Sequence, residues 1–181
     1  MKKILLTLIV VTAFWSIVFA ESDTYYTRDA TLTLNSEWNG EPLQLITREL
    51  SVMLDYETAF IIIRFPVSSL ETEADSLNTM LDRSKVEVVF DGKLGMEYIN
   101  TQDHPPMKFE TEGWLTIGDS KVLVTGEGEL HHIGNSTKYA CMLGMTMQLN
   151  FENLGLPLPL SGMDKSFEAI ITQALLQRDK N

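Results

Sequence analysis

Residues 139–151 read Tyr-Ala-Cys-Met-Leu-Gly-Met-Thr-Met-Gln-Leu-Asn-Phe, and they decide the fold class of this chain. Every odd position is apolar: Tyr139, Cys141, Leu143, Met145, Met147, Leu149 and Phe151. The even positions turn polar at Thr146, Gln148 and Asn150. Successive side chains of a strand point to opposite faces, so this period of two describes a strand with one buried face. At about 3.3 Å per residue it runs about 40 Å. Ordinary strands are shorter, which points to a long curved sheet or a barrel wall. Gly144 invites a bulge, yet an inserted residue would flip the alternation, and the alternation continues.

Shorter stretches repeat the theme on either side. Leu50, Val52 and Leu54 alternate with Ser51, Met53 and Asp55, and Phe60 to Phe65 is a β-branched run ended by Pro66. Val86, Val88 and Phe90 lead to the turn signal Asp91-Gly92, and Val122 and Val124 run toward Gly126 and Gly128. Gly118-Asp119 and Gly134-Asn135 mark further turns. Strands at this spacing predict a mainly β protein, an antiparallel sandwich or barrel. Leu70, Ala74, Leu77 and Leu81 instead fall at helical spacing, predicting one short helical excursion around residues 70–82. Phe167, Ile170, Ile171, Ala174 and Leu175 also fit a helical stripe, although a terminal strand closing a barrel is the alternative for Phe167 to Leu176.

The chain opens with Lys2 and Lys3, then an apolar run from Ile4 to Phe19, then Val18-Phe19-Ala20 before Glu21. That order predicts a cleavable signal peptide over 1–20, and hence a periplasmic or secreted protein. The rival, an uncleaved anchor, is disfavoured because the run is slightly short for a span and polar sequence follows. No membrane span is expected after cleavage. Residues 21–181 show no repeat or linker and read as a single domain. Loss of two lysines moves the net charge from −11 to −13, which opposes nucleic acid and anionic membranes as partners. Cys141 is the one cysteine, so no internal disulfide forms and the fold rests on its apolar core.

Three motifs carry a resemblance. Phe65-Pro66-Val67-Ser68-Ser69-Leu70-Glu71-Thr72 pairs a strand end with a Ser-x-x-Thr step. Pro106-Met107-Lys108-Phe109 forms a Pro-x-x-Phe, and Gly128-Glu129-Leu130 with Gly134 forms a Gly-x-Leu hairpin. In their order and spacing, from about Thr31 to Leu176, these resemble the YceI-like family of exported bacterial lipid- and polyisoprenoid-binding proteins. The chain departs from that pattern after Thr72, where an Arg-Asp pair is missing, and at Pro105 and Ile133. The resemblance implies an extended, lipocalin-like antiparallel β-barrel, with Phe167 to Leu176 as the closing strand, and we follow it there against the helical stripe. It also implies an exported carrier that sequesters an isoprenoid or quinone-like lipid in the lumen, without catalysis or cofactor.

On that reading the ligand-binding candidates are Leu143, Met145, Met147 and Leu149 on the inward parity of the long strand. Phe90, Phe109, Trp114, Val122 and Val124 are expected in the same lumen, and Tyr139 is a candidate for the polar mouth. Thioethers repack around varied apolar ligands, although a Met stripe also serves as plain core. Two rivals stand beside the carrier: a filled barrel used as a structural or interaction module, and a hydrolase or isomerase. A homodimer is compatible with all three. No metal site is expected, because His131 and His132 point to opposite faces of a strand and Asp103-His104 has no further spaced ligand. No catalytic residue is expected either: Cys141 lies in an apolar register, and no Gly-x-Ser-x-Gly elbow or phosphate loop is present. Glu71, Glu73 and Asp75 read as a solvated helix face. Asn135-Ser136-Thr137 is a glycosylation sequon that matters only in a eukaryotic secreted chain.

Overall fold

A computed structural model describes residues 24–100, 105–134, 136, 138–156 and 161–178. The expected signal segment 1–20, the Asp103-His104 pair and two residues of the sequon lie outside the described residues. Eight strands form a closed antiparallel barrel in which each pairs with the next and the last with the first. They are β1 (Thr24–Trp38), β2 (Glu41–Asp55), β3 (Phe60–Pro66), β4 (Glu87–Leu94), β5 (Met107–Ile117), β6 (Ser120–His132), β7 (Tyr139–Asn150) and β8 (Ser166–Arg178). A single short helix, α1 (Asp75–Leu81), interrupts the strands between β3 and β4. The barrel alternative is therefore the one the chain adopts.

The alternation that predicts β7 is the alternation found. Cys141, Leu143, Met145 and Met147 are buried on the inner face, and the extra residue that Gly144 invites is absent from this strand. It sits opposite, in β8. Leu143 pairs with Ala174 and Met145 with Ile171, so β8 takes three steps where β7 takes two. Gln173 absorbs the insertion with a left-handed backbone, φ 54°. This bulge moves the inward set of β8 from Phe167 and Ile171 to Ala174 and Leu176. A spacing of three between Ile171 and Ala174 is what imitates a helical stripe in the sequence. The segment is the closing strand.

The neighbouring strands carry matching insertions. Thr27 pairs with Val52, Ala30 with Leu50 and Leu32 with Thr47, so β1 and β2 each hold one extra residue. Both insertions follow a buried threonine whose hydroxyl is used locally. Thr27 Oγ1 donates to Asp29 at 2.7 Å, and Thr47 Oγ1 accepts the Glu49 N–H at 3.0 Å. Three adjacent strands thus bend together, and bulges of this kind supply the curvature that closure requires.

The helical excursion is shorter than the sequence predicts. Residues 70–74 are not helical: Glu71 exchanges backbone hydrogen bonds with Ile46 at 2.8 and 2.9 Å, adding a bridge to β2 above the point where β3 leaves it. Leu70 and Leu77 are buried, so the spacing reported a buried face that an extended segment and a helix share. Ser69 Oγ donates to the Pro66 carbonyl at 2.7 Å and lies 2.6 Å from Thr47 Oγ1. Thr72 exchanges its N–H and C=O with the Asn78 amide at 2.9 and 2.8 Å. The Ser-x-x-Thr step therefore anchors this strap to the barrel.

Three inward positions are glycine because an aromatic ring occupies the space. Phe90 lies across Gly92 and Gly113, and Phe109 lies across its paired residue Gly128. The Pro-x-x-Phe and Gly-x-Leu motifs thus meet as one packing unit. A Cβ at Gly113 would overlap the Gly92 Cα and the Asp91 carbonyl, both backbone, whereas one at Gly144 meets only the Ile171 carbonyl at 3.8 Å. In chemical denaturation, Gly113→Ala is expected to cost about 1–3 kcal/mol and Gly144→Ala to stay within about 0.5 kcal/mol; equal effects would contradict this packing.

Candidate functional site

The two ends of the barrel differ. One end carries the β2–β3, β4–β5 and β6–β7 connections and is packed solid. Leu50, Leu54, Tyr56, Leu130, Cys141 and Leu143 there are all buried to within 1%. Tyr25 and Tyr56 close this end, with ring centroids 4.2 Å apart. The other end carries the β1–β2, β3–β4, β5–β6 and β7–β8 connections and holds a cavity of about 630 Å³.

Hydrocarbon lines the cavity. Leu32, Leu45 and Ile63 come from β1 to β3, Phe90 and Leu115 from β4 and β5, and Met145, Met147 and Leu149 from β7. Phe167, Ala169 and Ile171 complete the wall from β8, where Phe167 stacks on Phe151 at 4.7 Å. The Phe90 ring, held down over Gly92 and Gly113, forms part of the floor. Met80 and Leu81 of α1 stand over the mouth with Arg83, Ser84 and Val86 behind them, and Met80 and Val86 are exposed, so the cavity reaches solvent.

Of the ten residues singled out from sequence, Phe90, Met145, Met147 and Leu149 line this cavity. The other six do not. Leu143 and Phe109 face inward but lie in the packed half. Val122 and Val124 share the inward parity of β6 yet pack against the core outside the cavity lining. Trp114 does not face the lumen: it is 46% exposed, paired with Leu123 on the outer wall under the Lys121 ammonium. Trp114 comes five positions after Phe109, an odd offset, so on one unbulged strand they point to opposite faces. Tyr139 begins β7 at the packed end, far along the strand from the mouth, with the Lys138 ammonium 4.7 Å from its ring centroid.

Sequence reasoning missed the polar groups that do line the cavity, Arg83, Ser84 and Ser120. They sit at the end of the helical excursion and in the β5–β6 turn. The turn signal at Gly118-Asp119 was visible, but which end of the barrel it rims follows only from closure. His131 is occupied locally, 3.1 Å from the Glu129 carboxylate. Among the described residues no group of three or more His, Cys, Asp or Glu side chains is placed to hold a metal.

Cys141 faces the packed end rather than the cavity. Burial pushes its thiol up to about 12, against a smaller opposing effect of the Tyr56 hydroxyl. Burial, and then the Cys141 thiol beside it, drive the Tyr56 phenol far above its ordinary range as well. A thiol held protonated is a poor nucleophile.

No family model matches the sequence, and no curated protein matches it. Among solved structures, a polyisoprenoid binding domain from Saccharophagus degradans, described as implicated in plant cell wall breakdown, superposes with a TM-score of 0.61. The match covers 87% of this chain and 99% of that one, at 9% identity. The chain has the YceI-like fold. At this identity the likeness is one of architecture, and that structural neighbour is named as a binding domain rather than an enzyme.

The raised thiol gives a pH dependence. Cys141 ionises above its ordinary value of 9.0 when folded, so its contribution to stability is full below pH 9 and is lost as pH rises toward 12. The melting temperature is expected to fall across that window, with Cys141→Ala removing part of the fall. A thiol reagent at pH 8 should label the protein only after unfolding; rapid labelling of the native chain would contradict the burial.

Proposed function

We propose that this chain is an exported, non-catalytic binding protein that holds an apolar ligand, a lipid of isoprenoid or quinone-like class, in the mouth half of its barrel. The observation that carries the reading is the cavity of about 630 Å³, lined by aliphatic, methionine and phenylalanine side chains, above a half that is packed solid. Ligand sites are concave, largely apolar and supplied with a few polar groups, and the cavity has that character and a size in the usual range of about 300–1,000 Å³. Removing hydrocarbon from water at about 25 cal/mol per Å² supplies the affinity.

The rival readings find less support. A structural module needs no void, yet a void occupies the mouth half. Hydrolysis or isomerisation needs convergent acid, base or nucleophile groups. Among the described residues the lining carries no carboxylate, imidazole or thiol. The likeness to a polyisoprenoid binding domain supports the ligand class, and the Lys-Lys-led apolar leader at 1–20 supports export to the periplasm or outside the cell.

Ala169 offers a direct test, because a larger side chain there projects into empty space. Ala169→Phe is expected to keep or raise the melting temperature while lowering uptake of a neutral apolar fluorophore by tenfold or more. Unchanged uptake in the folded variant would rule out this cavity as the site.

A further inference from the structure

The cavity also describes the kind of molecule that fits it. We propose that the ligand is a single-chain amphiphile with an anionic head, bound by Arg83 and the two mouth serines, and with a buried tail of about twenty carbons. This rests on the carrier reading above and narrows it.

The head-group argument is one of charge. The chain holds 25 acidic and 14 basic side chains, yet among the described residues the one charged group lining the cavity is cationic. Arg83 is exposed at the mouth and pairs with no carboxylate among the described residues. A guanidinium presents a fork of donors that matches a carboxylate or a phosphate. Its position is fixed by its neighbours. The Ser84 N–H donates to the Leu81 carbonyl at 2.9 Å, and Ser84 Oγ accepts the Val86 N–H at 3.2 Å. That acceptor role leaves the Ser84 hydroxyl proton available, and Ser120 adds a second hydroxyl from the β5–β6 turn. Among the described residues the lining thus offers donors and one positive charge, and no carboxylate.

The tail argument is one of depth. The Phe90 ring over Gly92 and Gly113 makes a floor, and beneath it the barrel is filled down to Tyr56. A methylene takes up a volume close to a water's share of the liquid, about 30 Å³, so a cavity of about 630 Å³ suits a tail of about twenty carbons. Carbons beyond that number stay outside the mouth.

The test titrates the delipidated chain with saturated fatty acids of increasing length, and with C20 and C40 isoprenyl alcohols and their monophosphates. Affinity is expected to rise about fourfold per added buried methylene and to level off by about twenty carbons. The anions should bind at least tenfold tighter than the matched alcohol, and Arg83→Gln should abolish that difference. Fatty acids binding in preference to isoprenyl phosphates would assign the tail to the acyl class, and the converse to the isoprenyl class. Affinity still rising from C20 to C40 would overturn the depth limit. An anion preference that is absent, or that survives Arg83→Gln, would overturn the head-group assignment. Failure of every chain to bind would instead overturn the carrier reading itself.

Discussion

An eight-stranded barrel is just wide enough for its own inward side chains to fill it, so whether it holds anything else depends on how those side chains are sized along its axis. Here they are sized unequally. In one half Leu50, Leu54, Tyr56, Leu130 and Leu143 interlock without remainder. In the other half the inward positions are ringed by residues that do not meet across the axis, and Ala169 and Ser120 are among the smallest. The packed half supplies a core, which a chain without a disulfide needs. The hollow half is stabilised by that core rather than by its own contacts, which lets it remain open.

Curvature and backbone spacing serve the same division. The insertions in β8, β1 and β2 lie side by side, each shifting its strand's inward set by one residue. The glycines at 92, 113 and 128 let two phenylalanine rings lie flat against the wall rather than project across it. One ring floors the cavity and the other helps fill the region below. The motifs that carry the family resemblance are therefore structural: a strap tied down by Ser69 and Thr72, and a ring seated on a glycine. Phe65, Val67 and Leu70 of the first motif add hydrocarbon to the cavity wall, whereas the polar lining residues Arg83, Ser84 and Ser120 lie outside all three motifs, so members of one fold can differ in head group while sharing these residues.

The sequence made the β class legible because β7 alternates without interruption from Cys141 onward, its one extra residue falling at its start, between Tyr139 and Cys141. It made β8 ambiguous for an identifiable reason: the bulge at Gln173 converts a spacing of two into a spacing of three, which periodicity reads as a helix. The same effect hides β1 and the first part of β2, where Thr27 and Ala30, and Thr47 and Leu50, break the alternation, while Leu50, Val52 and Leu54 remain legible. Inward parity was readable along single strands, which is why Met145, Met147 and Leu149 were found. Axial depth was not, because it depends on the shear of the closed sheet: Leu143, expected in the lumen, lies in the packed half, and Tyr139, expected at the polar mouth, begins β7 at the opposite end. Trp114 was misassigned by size over parity. Arg83 was invisible for the opposite reason: nothing in a sequence separates a cation on a cavity rim from one on an ordinary surface.

The account stands or falls on the hollow half being a ligand site. Native mass spectrometry of the protein, purified without detergent from the compartment that its leader predicts, addresses this most directly. The account predicts one organic molecule per chain, released by solvent extraction and missing from the Ala169→Phe variant prepared in the same way. A bare chain mass in the unsubstituted protein, unchanged after incubation with lipids extracted from the same cells, would contradict it.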